Sequence, residues 1–358
     1  MMNKTLYCDI SSHGFGHVAQ SAPILNLLHR LRPDIEIVIQ CGADPKWLAG
    51  NFKFKFEHVR HSSDFGMVME NALSVDVWRS HQRYSELHQR WQEEVSELAM
   101  LMAQYQPHAC YNNISYLGNA AAAHLSLPVI NLCSLNWYGV YKHYCEALPG
   151  AKNIMSDMLV AYQYATVFLA PQPSMPMPEL EQVNVIGTVA RRGKKRAAEI
   201  RQQYGLAENA RLVLISHGGV GLDINFHVWP EIDNTYFLVS TTGSQLSRWF
   251  IQCDSLGMPH IDIMSSCDAI VTKAGYGTYA EAACQQIPVI YTQRDDWPEE
   301  VFLNEWLHEI GCCLEISITE LQSGQLQDAL TTVLGLEKKI PVKPTGIESA
   351  VGALLQYF

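Results

Sequence analysis

The chain lacks any uninterrupted run near the roughly 18 apolar residues that a membrane helix needs. Its first residues, Met1 to Asp9, lack a basic segment followed by a long apolar one, so no secretory signal is read there. Its ten cysteines form no CxxC pair and no small-domain spacing, which argues against structural zinc and a disulfide framework. The vicinal Cys312-Cys313 pair reads as buried thiols. These absences together point to a reduced, cytoplasmic protein. Basic residues are in the minority, with 25 Lys+Arg against 36 Asp+Glu and a formal charge of -11. That balance argues against a broad phosphate-backbone binder, so no nucleic acid partner is expected. The dinucleotide fingerprint GxGxxG, the P-loop and the GxSxG nucleophile elbow are also missing.

What is present is a core-forming chain. Of its 358 residues, 48% are apolar and 17% charged, enough for a packed core and a length for about two domains. Short apolar runs at Thr5–Ile10, Ile35–Gln40, 109–112 and 128–132 alternate with amphipathic stretches. The spacing predicts helices over 17–31, 78–105 and 118–125, and a half-exposed strand over 52–59. Residues 171–178 hold four prolines and read as linker. The basic run 191–196 reads as a solvated linker and helix start. Alternation resumes with strands at 211–216, 236–240, 269–272 and 288–292, and with helices at 299–310 and 320–334. The fold class expected is α/β, two doubly wound Rossmann-like units facing across a cleft. The expected boundaries are 1–170, a linker over 171–195, a second domain over 196–345, and a terminal helix over 346–358 packing back on the first domain.

Five segments could carry chemistry. His13-Gly14-Phe15-Gly16-His17 joins the first strand to the first helix, where ligands of doubly wound sheets bind. The glycines permit a tight turn, and a histidine there can accept a proton; the alternative is a turn with a capping histidine. Lys273 to Glu281 makes a second strand-to-helix turn. Gly275, Tyr276, Gly277 and Thr278 would present N–H groups to a diphosphate, with Glu281 one turn in, or serving only the helix dipole. Gly218, Gly219 and Gly221 form a third Gly-rich loop, facing a ligand or simply turning. Arg294 to Glu300 places Glu299 and Glu300 where they could grip sugar hydroxyls or decorate a helix start. The aromatic run 136–144, read as a loop, offers Trp137 and Tyr138 to an acceptor or to the core.

These segments resemble GT-B glycosyltransferases. The stretch 261–281 with Pro288 is similar to the donor-binding region of the N-acetylglucosaminyltransferases that form lipid II. The first loop, the 272–278 turn and the Arg294…Glu300…Leu303 pattern are similar to the glycosyltransferase-like N-terminal region of L-arabinokinase. The resemblance implies transfer of a sugar from a UDP- or TDP-sugar donor to a hydroxyl acceptor. No two Asp residues take the Asp-x-Asp spacing that holds a donor diphosphate through a divalent ion, so no metal or other cofactor is expected. It implies His17 and His13 as catalytic residues, and Gly14 and Gly16 beside Trp137 and Tyr138 on the acceptor side. For the donor it implies Ile261 at the base, Glu281 at the ribose, and the 218–221 and 275–278 turns at the diphosphate. Glu299-Glu300 stand where the lipid-II enzymes carry a glutamine pair, so sugar and acceptor do not transfer. A UDP-sugar 2-epimerase-like enzyme or a non-catalytic nucleotide-sugar-binding protein fits the same architecture.

Overall fold

The computed structural model describes residues 4–71, 73–217, 224–241, 246–294 and 296–358. The first unit holds β1 (Lys4–Ile10), α1 (Gly16–Leu31), β2 (Ile35–Gln40), α2 (Pro45–Asn51), β3 (Glu57–Val59), α3 (Val77–Gln89) and α4 (Trp91–Ala103). It continues with β4 (Ala109–Asn113), α5 (Tyr116–His124), β5 (Val129–Leu132), α6 (Trp137–Cys145), α7 (Ala151–Gln163), β6 (Val167–Pro171) and β7 (Val183–Ile186). All seven strands are parallel in the order β3-β2-β1-β4-β5-β6-β7. Parallel strands carry helices on both faces, which is why β1 and β2 read as near-continuous apolar runs. Leu6, Cys8 and Ile10 face α1, while Tyr7 faces the core under α4 and α5.

The second unit holds α8 (Ala197–Gln203), β8 (Arg211–Ser216), β9 (Thr235–Val239), β10 (Phe250–Gln252), α9 (His260–Ser265), β11 (Ala269–Lys273) and α10 (Tyr276–Gln285). It ends with β12 (Val289–Thr292), α11 (Glu300–Ile310), β13 (Cys313–Glu315), α12 (Ile318–Ser323), α13 (Gln327–Gly335) and α14 (Gly346–Leu355). Its sheet is parallel in the order β10-β9-β8-β11-β12-β13. Strand order reverses between β1 and β4 in one sheet and between β8 and β11 in the other, and crevices open at such switch points. Ala350, Val351 and Leu354 of α14 are buried in the same core as Leu6 and Val18 of the first unit.

Several elements differ from expectation. The long helix over 78–105 is two helices broken at Arg90, whose guanidinium turns back to Glu93 and Glu94 at 2.9 Å each. A one-residue break leaves the amphipathic period almost intact. Of residues 52–59 only Glu57–Val59 pair as strand; Phe52, Phe54 and Phe56 pack edge to face on each other instead. The helix over 320–334 is interrupted at Gly324, at φ +69 with its α-carbon against the Trp229 ring. The segment 171–195 contains β7, so the first sheet extends into the expected linker. All ten cysteines are free thiols.

Candidate active site

The first loop leaves β1 and enters α1 at its switch-point end. Gly14 sits at φ +75, which favours glycine, and no side chain caps the start of α1. His17, in the first turn, is buried. Its Nδ1 lies 2.7 Å from Asn113 Oδ1, at the end of β4. The Asn113 amide nitrogen faces the His17 carbonyl, Gln20 Oε1 and Ser21 Oγ, at 3.2–3.4 Å. That network fixes the amide, so Nδ1 of His17 carries the proton and donates it to Asn113. Nε2 then holds the lone pair, the form a general base needs.

His13 is held by a different wall. Its Nδ1 donates to the Phe65 carbonyl at 3.1 Å. Phe65 belongs to a four-residue brace after β3. Ser63 donates to Asp9, Asp64 accepts from Ser11 Oγ at 2.6 Å and from Trp137 Nε1 at 2.8 Å, and Gly66 lies against both aromatic rings. A Cβ at Gly66 would fall 2.6 Å from His13 Cγ and 2.7 Å from Trp137, and the residue sits at φ +62. Burial raises the Asp64 carboxyl against the pull of Ser11, His17 and Trp137. Burial likewise pushes Asp9 up to about 7, opposed by Ser63 and reinforced by Asp64. Burial, then the nearby His17 and Arg294, push His13 down to about 3.

The aromatic run is a helix rather than a loop, because Asn136 caps α6 by accepting from Gly139 N at 2.7 Å. Trp137 is fully buried and backs both histidines, with ring centroids 5.3 Å from His13 and 5.7 Å from His17. Tyr138 is not brought to them; it packs in the core with Lys142 over its ring.

The second unit supplies the opposite wall. A Cβ at Gly277 would lie 3.7 Å from Ala19 Cβ of α1, so the first turns of α1 and α10 meet across the cleft. Gly275 precedes α10 in extended conformation; among the described residues, nothing lies within 4 Å of where its Cβ would be, and no side chain caps the helix. The first N–H groups of a helix have no partner inside it, so Tyr276, Gly277 and Thr278 present donors and a positive dipole end. The Tyr276 side chain is turned away, accepting from Val189 N and donating to the Gln172 carbonyl. Lys273 ends β11, where burial and then Arg294 lower it to about 7. Arg294 lies 4.0 Å over the Trp297 ring, and Trp297 is parallel to His13 at 6.2 Å. Glu299 is buried, accepts from Trp297 Nε1 at 3.3 Å, and is raised by burial against Ser134, Trp297, Arg294 and His17. Among the described residues, Glu299 Oε1, Arg294 Nε and His217 Nε2 are buried without a hydrogen-bond partner. Burial, with Lys273 close by, lowers His217 to about 4.

Other donor-side candidates are already occupied. Glu281 is buried and accepts from Arg191 Nε at 2.6 Å, while Arg191 also donates to Asn51. The Ile261 carbonyl accepts from Ser265 Oγ, and Gly193 packs on it. The run 191–196 is therefore docked rather than solvated: backbone N–H groups of Gly193, Lys194 and Arg196 donate to Gln285, Asp262 and Ser266. Glu300 accepts the Arg294 N–H at 2.9 Å and an Asn304 amide hydrogen, so it closes the start of α11. Gly218, Gly219 and Gly221 lie outside the described residues, as does Asp295. No sequence signal marks Asn113, Asp64 or Phe65; each acts through a contact between distant loops.

The arrangement sets two imidazoles against a helix N-terminus, a lysine and an arginine. It can hold an anionic group beside a base. Among the described residues, no three His, Cys, Asp or Glu side chains are grouped to hold a metal ion. No helix among them is long and apolar enough to cross a membrane.

No family model matches the chain. It is 24% identical over 337 residues to L-arabinokinase of Arabidopsis thaliana, a match taking in 92% of this chain and 32% of that protein. It is 25% identical over 183 residues to a probable chloroplastic monogalactosyldiacylglycerol synthase of Nicotiana tabacum, covering 45% of this chain and 31% of that one. The chain thus spans about a third of the length of these curated relatives. Solved structures align over its full length. The glycosyltransferase SnogD of Streptomyces nogalater has a TM-score of 0.57 at 13% identity, covering all of both chains. A UDP-glucosyltransferase of Polygonum tinctorium has a TM-score of 0.61 at 12% identity, covering 99% of this chain and 98% of that one. The chain has the GT-B glycosyltransferase fold. Glycosyltransferase VinC, solved with dTDP, shares that fold at a TM-score of 0.58 and 14% identity, over 99% of this chain and 95% of its own.

Proposed function

We propose that the protein is a glycosyltransferase that moves a sugar from a nucleoside-diphosphate donor to a hydroxyl acceptor. The observation that carries this is the pairing of His17, with Nδ1 tied to Asn113, against the uncapped α10 N-terminus. Transfer needs an acceptor hydroxyl deprotonated and a departing diphosphate stabilised. Nε2 of His17 takes the proton. The α10 N–H groups, Lys273 and Arg294 receive the negative charge, in place before the bond breaks. The relatives' names support this reading, since VinC is solved with dTDP and the Polygonum protein is named a UDP-glucosyltransferase. A thermal-shift screen of nucleoside diphosphates and nucleotide sugars tests it. A ligand at about 100 times its dissociation constant adds roughly 2.7 kcal/mol of stability. Acceptor-dependent release of nucleotide then separates transfer from epimerisation, which needs no acceptor, and from binding without turnover.

Fixed dipoles and two cations make a divalent ion unnecessary. Nucleotide-dependent stabilisation is therefore expected to persist in excess EDTA. Its complete loss in EDTA, with recovery on adding Mg²⁺ or Mn²⁺, would refute metal independence.

Glu281 is assigned to the ribose, for which the Arg191 pair must open or share it. Glu281→Ala should weaken uridine nucleotide binding by roughly 1.5–3 kcal/mol. It should also lower the melting temperature, because Arg191 loses its buried partner. Calorimetry showing unchanged affinity with only the melting change would confine Glu281 to holding the linker.

A further inference from the structure

The two histidines of the first loop are anchored alike but differently surrounded. Each donates from Nδ1, His17 to Asn113 Oδ1 and His13 to the Phe65 carbonyl. A carbonyl oxygen only accepts, so the Nδ1 proton of His13 is fixed and its Nε2 carries a lone pair. Both rings flank the Trp137 indole, and no described residue donates to Nε2 of His13. The charged and titratable groups acting on His13 are His17 from its own loop and Arg294 and Lys273 from the second unit. Among the described residues, no carboxylate bonds to it. Such surroundings disfavour an added proton, so His13 is poorly placed to cycle as a base.

We infer that His13 is a specificity-determining hydrogen-bond acceptor, whose Nε2 receives a hydroxyl of the acceptor substrate neighbouring the hydroxyl that His17 deprotonates. Both imidazoles pack on the Trp137 indole and feel each other electrostatically, so they offer two lone pairs to two hydroxyls of one acceptor. The acceptor class is then a sugar or polyol rather than a simple alcohol. A neutral ring suits this task, because an imidazolium would offer a proton where one must be accepted. The inference rests on the transferase reading for the meaning of the second hydroxyl.

Long-range proton–nitrogen NMR of the full chain labelled in histidine tests it. His13→Gln assigns the resonances, or contacts to the Trp297 ring, on which His13 stacks, do so should that variant not fold. His13 is expected as the Nδ1–H tautomer, without titration between pH 5 and 8. Glycerol, used as a diol probe with uridine diphosphate present, should shift Nε2 and leave Nδ1 in place. An Nε2–H tautomer, a proton taken up within that pH range, or an Nε2 resonance indifferent to glycerol would overturn the inference. In turnover, Gln restores an acceptor and should stay within about fivefold of the parent, while His13→Ala falls roughly ten- to thirtyfold, the scale of one lost hydrogen bond. Equal losses in Gln and Ala would also overturn it. Failure of the transferase reading shows separately, as a parent protein that no nucleotide stabilises.

Discussion

His17→Ala should lower turnover by about 10²–10⁴-fold while leaving nucleotide affinity nearly unchanged, as for loss of a positioned general base. Position accounts for both halves. The imidazole sits on the first unit, with Nδ1 spent on Asn113, and is not one of the groups assigned to the diphosphate. Asn113→Ala should reproduce part of the loss, because the ring would be free to take the other tautomer and bury its proton at Nε2. Asn113→Asp should keep the tautomer, since a carboxylate also accepts from Nδ1. Turnover and calorimetric affinity measured on the same three variants check this. A His17→Ala protein with near-parental turnover would remove the base from this loop, and one that lost nucleotide binding would move His17 to the donor side.

The fold was largely readable from sequence because parallel strands buried on both faces leave near-continuous apolar runs. Strands β1, β2 and β8 fall within a residue of expectation. Elements set by a single local event were not readable. The Asn136 cap turned an aromatic loop into α6, and Arg90 split one helix into two. Short edge strands such as β10 and β13 carry too few residues to show a period. In the site, the glycine turns announced themselves through local composition. Asn113, Asp64 and the Phe65 carbonyl did not, because their partners lie about 50 to 100 residues away. Arg191 illustrates the limit best. Within the basic run 191–196 it looks solvated, yet it alone of that run reaches the buried Glu281. Charge pattern along a chain carries no information about which cation meets a buried carboxylate.

Lys273→Met should weaken binding of a nucleotide sugar by about 1.5–3 kcal/mol, roughly ten- to a hundredfold, the scale of a hydrogen bond to a charged group. A nucleotide sugar is the better probe than a free diphosphate, since its phosphates do not titrate near neutrality. Lys273 is lowered to about 7 in the free protein by burial and by Arg294. Below that pH it is charged and ready for the ligand; above it, binding must first draw a proton. A bound diphosphate favours the charged amine and raises its pKa, so affinity should fall as pH rises above about 7. His13 at about 3 and His217 at about 4 stay neutral throughout this range and add no slope. Asp9 is pushed up to about 7 and titrates in the same window, beneath the first loop. Lys273→Met separates the two. If the lysine carries the effect, the variant binds weakly and equally at pH 6.5 and 8.5. A slope that survives the substitution belongs to Asp9 or another group, and parental affinity in Lys273→Met would leave the diphosphate to Arg294 and the α10 N-terminus alone.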